Sequence, residues 1–85
     1  MPKIECFAVP GIECWFWSND HQPPHFHAKR QGEWELKVYF LLATDAMFEL
    51  EWGHPPKAKL RREIAKAVSA NRDALLHEWE TKVNQ

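Results

Sequence analysis

Cysteine is scarce in this chain: Cys6 and Cys14 are the two in 85 residues, and no Cys-x-x-Cys pair occurs. A secreted domain of this size usually carries several bridges, so the count argues against a disulfide framework. Two free thiols buried in strands are expected, with one cross-strand bridge or a thiolate ligand as alternatives. Long apolar runs are missing too; none approaches the roughly 20 residues of a membrane span. No charge of either sign dominates, since 11 Lys and Arg stand against 12 Asp and Glu, giving −1. Nothing global therefore advertises nucleic acid or a membrane. The opening Met-Pro-Lys-Ile-Glu brings an acid at once, without the basic-then-apolar layout of a signal peptide, and a cytoplasmic location is expected.

What is present is an ordinary globular composition, 45% apolar and 27% charged, too apolar for a disordered chain. The length allows a single domain, residues 1–85. Five tryptophans supply the large buried areas that a small core needs.

Residues 3–9 alternate and end in Pro10-Gly11, and Ile12 to Trp17 resumes a strand-like run, together suggesting a hairpin. His21-Gln22-Pro23-Pro24 is a stiff, extended connector, because successive prolines remove donors and fix φ. His25–Arg30 and Glu33–Phe40 make a second hairpin. A three-residue loop, Arg30-Gln31-Gly32, keeps Phe26, Ala28, Trp34, Leu36 and Val38 on one face and His25, His27, Lys29, Glu35 and Lys37 on the other. This register sets His27 opposite Glu35 and His25 opposite Lys37. Met47–Trp52 forms a last strand.

After Pro55-Pro56 the period becomes helical. Leu60, Ile64, Ala67 and Val68 make one stripe and Leu75, Leu76, Trp79 and Val83 another, with Asn71 as the cap of a second helix. The expected fold is α+β: a small antiparallel sheet of four to five strands followed by two C-terminal helices packed on one face.

Charge is uneven along the chain. Residues 1–54 hold four basic and eight acidic side chains (4 − 8 = −4), and residues 55–85 hold seven and four (7 − 4 = +3). Lys57, Lys59, Arg61, Arg62 and Lys66 load the first helix, which reads as a solvated face or as a surface for nucleic acid or an acidic partner.

His21, His25 and His27 fall within seven residues, the strongest chemical feature of the chain. Residues two apart on a strand point to one side, so His25 and His27 converge, and the proline connector returns His21 toward them. Neutral imidazoles at this spacing suit a divalent transition metal, zinc above others, with Glu35 as a fourth ligand or an orienting partner. There is no His-Glu-x-x-His of helical zinc proteases. Two other readings stay open. In one, a metal-free acid–base pair beside Lys29, Arg30 or Lys37 cleaves RNA. In the other, the imidazoles merely hydrogen-bond the connector. His54 and His77 are weaker candidates.

The start Met-Pro-x-Ile, the block Ser18-Asn19-Asp20-His21-Gln22-Pro23-Pro24-His25-Phe26-His27, the Gly32-Glu33 hairpin and the closing Leu75-Leu76-His77-Glu78-Trp79 together resemble a bacterial family described as domain of unknown function 4160. The resemblance implies a small stand-alone α+β protein with a small protein partner encoded nearby, in an arrangement similar to toxin–antitoxin cassettes. It brings no activity. The expectation from the sequence is thus a histidine-cluster metal site with hydrolytic capacity. A toxin–antitoxin-like interaction protein or a small metal-independent ribonuclease stands as the alternative.

Overall fold

A computed structural model describes residues 2–83. Four strands and one helix follow in order: β1 (Glu13–Trp15), β2 (Phe26–Arg30), β3 (Trp34–Val38), β4 (Phe48–Gly53) and α1 (Ala58–Lys82). The strands form one antiparallel sheet in sequence order β1-β2-β3-β4. The class is α+β, as the sequence indicates.

Strand alternation places the core. Phe26, Ala28, Trp34, Leu36 and Val38 are all buried on one side, where they share a core with Ile64, Val68, Leu75 and Trp79 of α1. The central hairpin thus has the faces expected from its pattern but not the expected partners. Arg30 pairs with Trp34, and His27 lies opposite Lys37 rather than Glu35. The cause is the turn. Glu33 N–H bonds the Arg30 carbonyl at 3.0 Å, so Gly32, at φ 78°, is the third residue of the turn Arg30–Glu33 rather than the last residue of a loop. Pairing moves by two residues, which leaves every side chain on its original face.

The N-terminal hairpin is only partly made. The Pro10-Gly11 turn is there, with Ile12 N–H on the Val9 carbonyl at 3.1 Å, but Lys3 and Trp15 form just an isolated bridge. Glu5 and Cys6, which should extend the ladder, turn their N–H groups to the Glu78 carboxylate instead, each at 2.9 Å. Both cysteines are free and half-buried.

The two expected helices are a single one. α1 runs through Asn71, which leaves helical geometry at φ −131° and ψ 17° without ending the helix. Its side-chain amide donates back to the Ala67 carbonyl at 2.7 Å. An Asn spent on the preceding turn kinks a helix and cannot cap a new one. Ala65 rather than Ala67 completes the buried stripe. Arg72, just past the kink, donates to the Phe40 carbonyl at 3.0 Å and ties α1 to the β3–β4 connection.

Candidate metal centre

The segment before β2 determines the site. Ser18 and Asn19 form a turn in which Asp20 N–H bonds the Trp17 carbonyl at 3.1 Å, and Trp17 N–H returns to Asp20 Oδ2 at 3.1 Å. Asp20 is thereby held at the entrance to the proline connector, its carboxylate facing the start of β2. His27 Nε2 lies 3.1 Å from Asp20 Oδ2 and 3.3 Å from Oδ1. His25 Nε2 lies 3.6 Å from Oδ1. One ligand atom from each of Asp20, His25 and His27 falls within 4.8 Å of the others.

The ring of His25 has a fixed tautomer. Its Nδ1 is 2.9 Å from the Pro23 carbonyl, which can only accept, so Nδ1 carries the proton. In the neutral ring, Nε2 then presents a lone pair toward the Asp20 carboxylate. Two acceptors facing each other call for a cation or a proton between them. A histidine that gives its other N–H to a main-chain carbonyl is also the usual companion arrangement of a metal ligand. The proline connector supplies that carbonyl.

His27 is arranged differently. Its ring stacks on Trp15 with centroids 5.4 Å apart, and Trp17 stands edge-on at 6.2 Å. Nδ1 is buried without a hydrogen-bond partner. In the metal-free protein Nε2–H donates to Asp20, leaving Nδ1 as the bare acceptor. Burial lowers the His27 pKa, and this outweighs the Asp20 carboxylate, which by itself favours the imidazolium. A metal on Nε2 would move the proton to Nδ1, where no acceptor waits. The donor set fits a divalent ion, with His25 better prepared for it than His27.

The histidine pair is enclosed. His25 and His27 lie on the sheet side opposite Phe26 and Ala28, yet they are 6% and 5% exposed. Trp15, Trp17 and Tyr39 surround them, and Trp79 reaches His25 with centroids 5.7 Å apart. His21 is exposed and outside the group, because the turn closed by Trp17 directs Asp20 to the imidazoles and leaves the next side chain outward. Glu35 is outside it as well, since the shifted register faces it to Lys29 and Trp52. His54 and His77 are exposed elsewhere. Asp20 is the residue that sequence reasoning missed. Its signal was its place beside the histidines in an Asp-His-x-Pro-Pro-His block.

The cations named beside a metal-free acid–base pair, Lys29, Arg30 and Lys37, are already engaged, Arg30 with Glu33 at 4.0 Å. Lys29 Nζ sits 3.8 Å from Glu13 and 5.3 Å from the Trp15 ring centre, and Lys37 Nζ lies 3.1 Å from Glu51. The thiols are poor ligands. Burial, then the Glu78 carboxylate, pushes Cys6 up to about 11, and burial pushes Cys14 up to about 12.

A four-stranded sheet backed by one kinked helix, with a carboxylate and two imidazoles enclosed where β2 begins, defines a small α+β protein with a histidine–carboxylate centre. The family model Domain of unknown function (DUF4160) matches residues 11–80, and the chain belongs to that family. No curated protein and no solved structure matches it. Among the described residues, no helix is long and apolar enough to cross a membrane.

Proposed function

We propose that the protein binds one divalent transition metal, zinc above others, through Asp20, His25 and His27. The observation carrying this reading is the His25 ring, whose proton is held on the Pro23 carbonyl while its free nitrogen faces a carboxylate. Two nitrogens and one oxygen suit zinc, and three protein ligands leave a fourth position for water, as in hydrolytic zinc sites. The small exposure of both rings limits what reaches that position to a small molecule or a short reactive group.

A second reading has its own support. Asp20 and His27 at 3.1 Å form a carboxylate–imidazole pair that moves protons without a metal. One experiment separates them. Untagged protein, stripped with EDTA, is titrated with zinc by calorimetry while a short RNA panel is incubated with and without EDTA. One equivalent of zinc, lost in His25→Ala and reduced in Asp20→Asn, supports the metal site. Substoichiometric zinc that is unchanged in both variants ends it. Cleavage of RNA that survives EDTA and disappears in His27→Ala supports the pair instead.

A further inference from the structure

β4 is the last strand of the sheet, and its one sheet neighbour among the described residues is β3. A row of its backbone N–H and C=O groups therefore faces away from the sheet, the template on which another strand can add. The edge is also unusually apolar: Leu50 is 41% and Trp52 46% exposed.

Its two sides differ in chemistry. On the helix side, a groove of about 480 Å³ runs between β4 and the first turn of α1, walled by Leu36, Phe48, Leu50 and Pro56 and rimmed by Arg61, Arg62 and Asp45. On the other side, Glu49 and Glu51 flank Lys37, and Glu35 lies between Trp52 and Lys29, which already pairs with Glu13; four carboxylates stand against two ammoniums, or −2. The Glu35 carboxylate has no hydrogen bond or ion pair among the described residues.

We infer that β4 is the docking edge for an extended segment of a partner protein in which apolar and basic residues alternate. A strand laid along β4 sends successive side chains to opposite sides of the sheet. One set enters the groove beside Leu50, where apolar walls favour an apolar side chain and two arginines against one aspartate oppose a basic one. The other set, Lys or Arg, meets the carboxylates and the exposed face of Trp52, where charge attraction and cation–π contact act together. The two sides thus specify the alternation.

Other occupants fit worse. A second copy would lay its own Glu49 and Glu51 against the same carboxylates, and like charges across a strand pair destabilise it. A nucleic acid would bring phosphates to a net negative face. This inference does not rest on the metal site.

The test uses the full chain and a labelled synthetic peptide of alternating valine and lysine, followed by fluorescence anisotropy and amide hydrogen exchange. Saturable binding is expected, with slowed exchange at the amides of β4. Glu49→Lys with Glu51→Lys should weaken it at least about tenfold, and so should Trp52→Ala, while His25→Ala leaves it unchanged. Circular dichroism confirms that each variant is folded. No binding, equal binding of a valine–glutamate peptide, or equal binding of the same residues in two blocks would overturn the inference. So would a dimer in sedimentation that Leu50→Asp abolishes.

Discussion

Glu78 ties the ends of the chain together, and its removal is the sharpest perturbation that the fold offers. One carboxylate accepts the Glu5 and Cys6 N–H groups at 2.9 Å and the Lys82 ammonium at 2.8 Å. Glu78→Ala leaves the Glu5 and Cys6 amides without their acceptor, while Lys82 keeps the Lys3 carbonyl at 2.9 Å and the Glu5 carboxylate at 2.8 Å. Hydrogen bonds to a charged group contribute about 1.5–3 kcal/mol each. Because they share one carboxylate they are not additive, and the loss should total about 3–5 kcal/mol. A chain of this length holds roughly 4–13 kcal/mol in all.

At about 4–8 °C per kcal/mol, Glu78→Ala should lower the melting temperature by at least about 12 °C, read by circular dichroism at pH 7. Glu78→Gln keeps one acceptor oxygen and should fall between the two. The pH dependence gives a second readout. Burial pushes the Glu78 carboxyl up, but the Lys82 ammonium and the Glu5 and Cys6 amides outweigh it and hold it below its ordinary value of 4.5. A carboxyl depressed in the fold contributes stability above that ordinary value and loses it as pH falls through the folded one. Wild type should therefore lose more stability than Glu78→Gln below pH 4.5. If Glu78→Ala melts within about 5 °C of wild type, the clamp contributes little and the reasoning is refuted.

Three further outcomes are expected. Trp79 is 2% exposed, packs edge-on against Phe16 at 6.1 Å and fills the centre of the core. Trp79→Ala should cost about 3–5 kcal/mol and leave the protein at or near unfolding, seen as lost near-ultraviolet dichroism at 25 °C. For metal-free protein, His27 is held below its ordinary value of 6.5, chiefly by burial, so the unfolded chain takes up its proton first. Its contribution is full above that value and is lost as pH falls toward the folded one; a His27→Phe variant should show a flatter urea midpoint over this window. Gly53→Ala should be far worse than Gly32→Ala. Both glycines have positive φ, but a Cβ at Gly53 overlaps the Glu33 carbonyl oxygen whereas at Gly32 it meets open space. Parallel melting curves check this, with about 1–2 kcal/mol expected at Gly32 and at least about 3 kcal/mol at Gly53.

Much of this architecture was legible because it follows from periodicity. Alternation of Phe26 and Ala28, and of Trp34, Leu36 and Val38, gave the correct faces even though the partners were displaced by two residues. Face depends on parity, which local pattern reports; partner depends on where the turn closes, which Gly32 alone leaves open between two positions. The single helix was hidden for a related reason. Asn71 is a good cap by type, and only its bond to the Ala67 carbonyl shows that its side chain looks backward. The short first hairpin was hidden by a residue more than 70 positions away, Glu78, which takes the amides that the ladder would have used.

The site divides along the same line. His25 and His27 were found because a strand puts residues two apart on one side. His21 and Glu35 depended on the path of a connector and on a register, both non-local, and both lie outside the group. Asp20 takes their place through a turn that Trp17 closes with two hydrogen bonds, so the carboxylate is fixed by backbone rather than by its neighbours in the cluster. That construction separates function from stability. Asp20→Asn keeps both the turn acceptor and the side-chain shape, so it should remove the charge facing the imidazoles while the melting temperature of metal-free protein moves by only about 5 °C. A larger loss would mean that the carboxylate is there to hold the two rings in the fold, and that binding an ion is secondary to it.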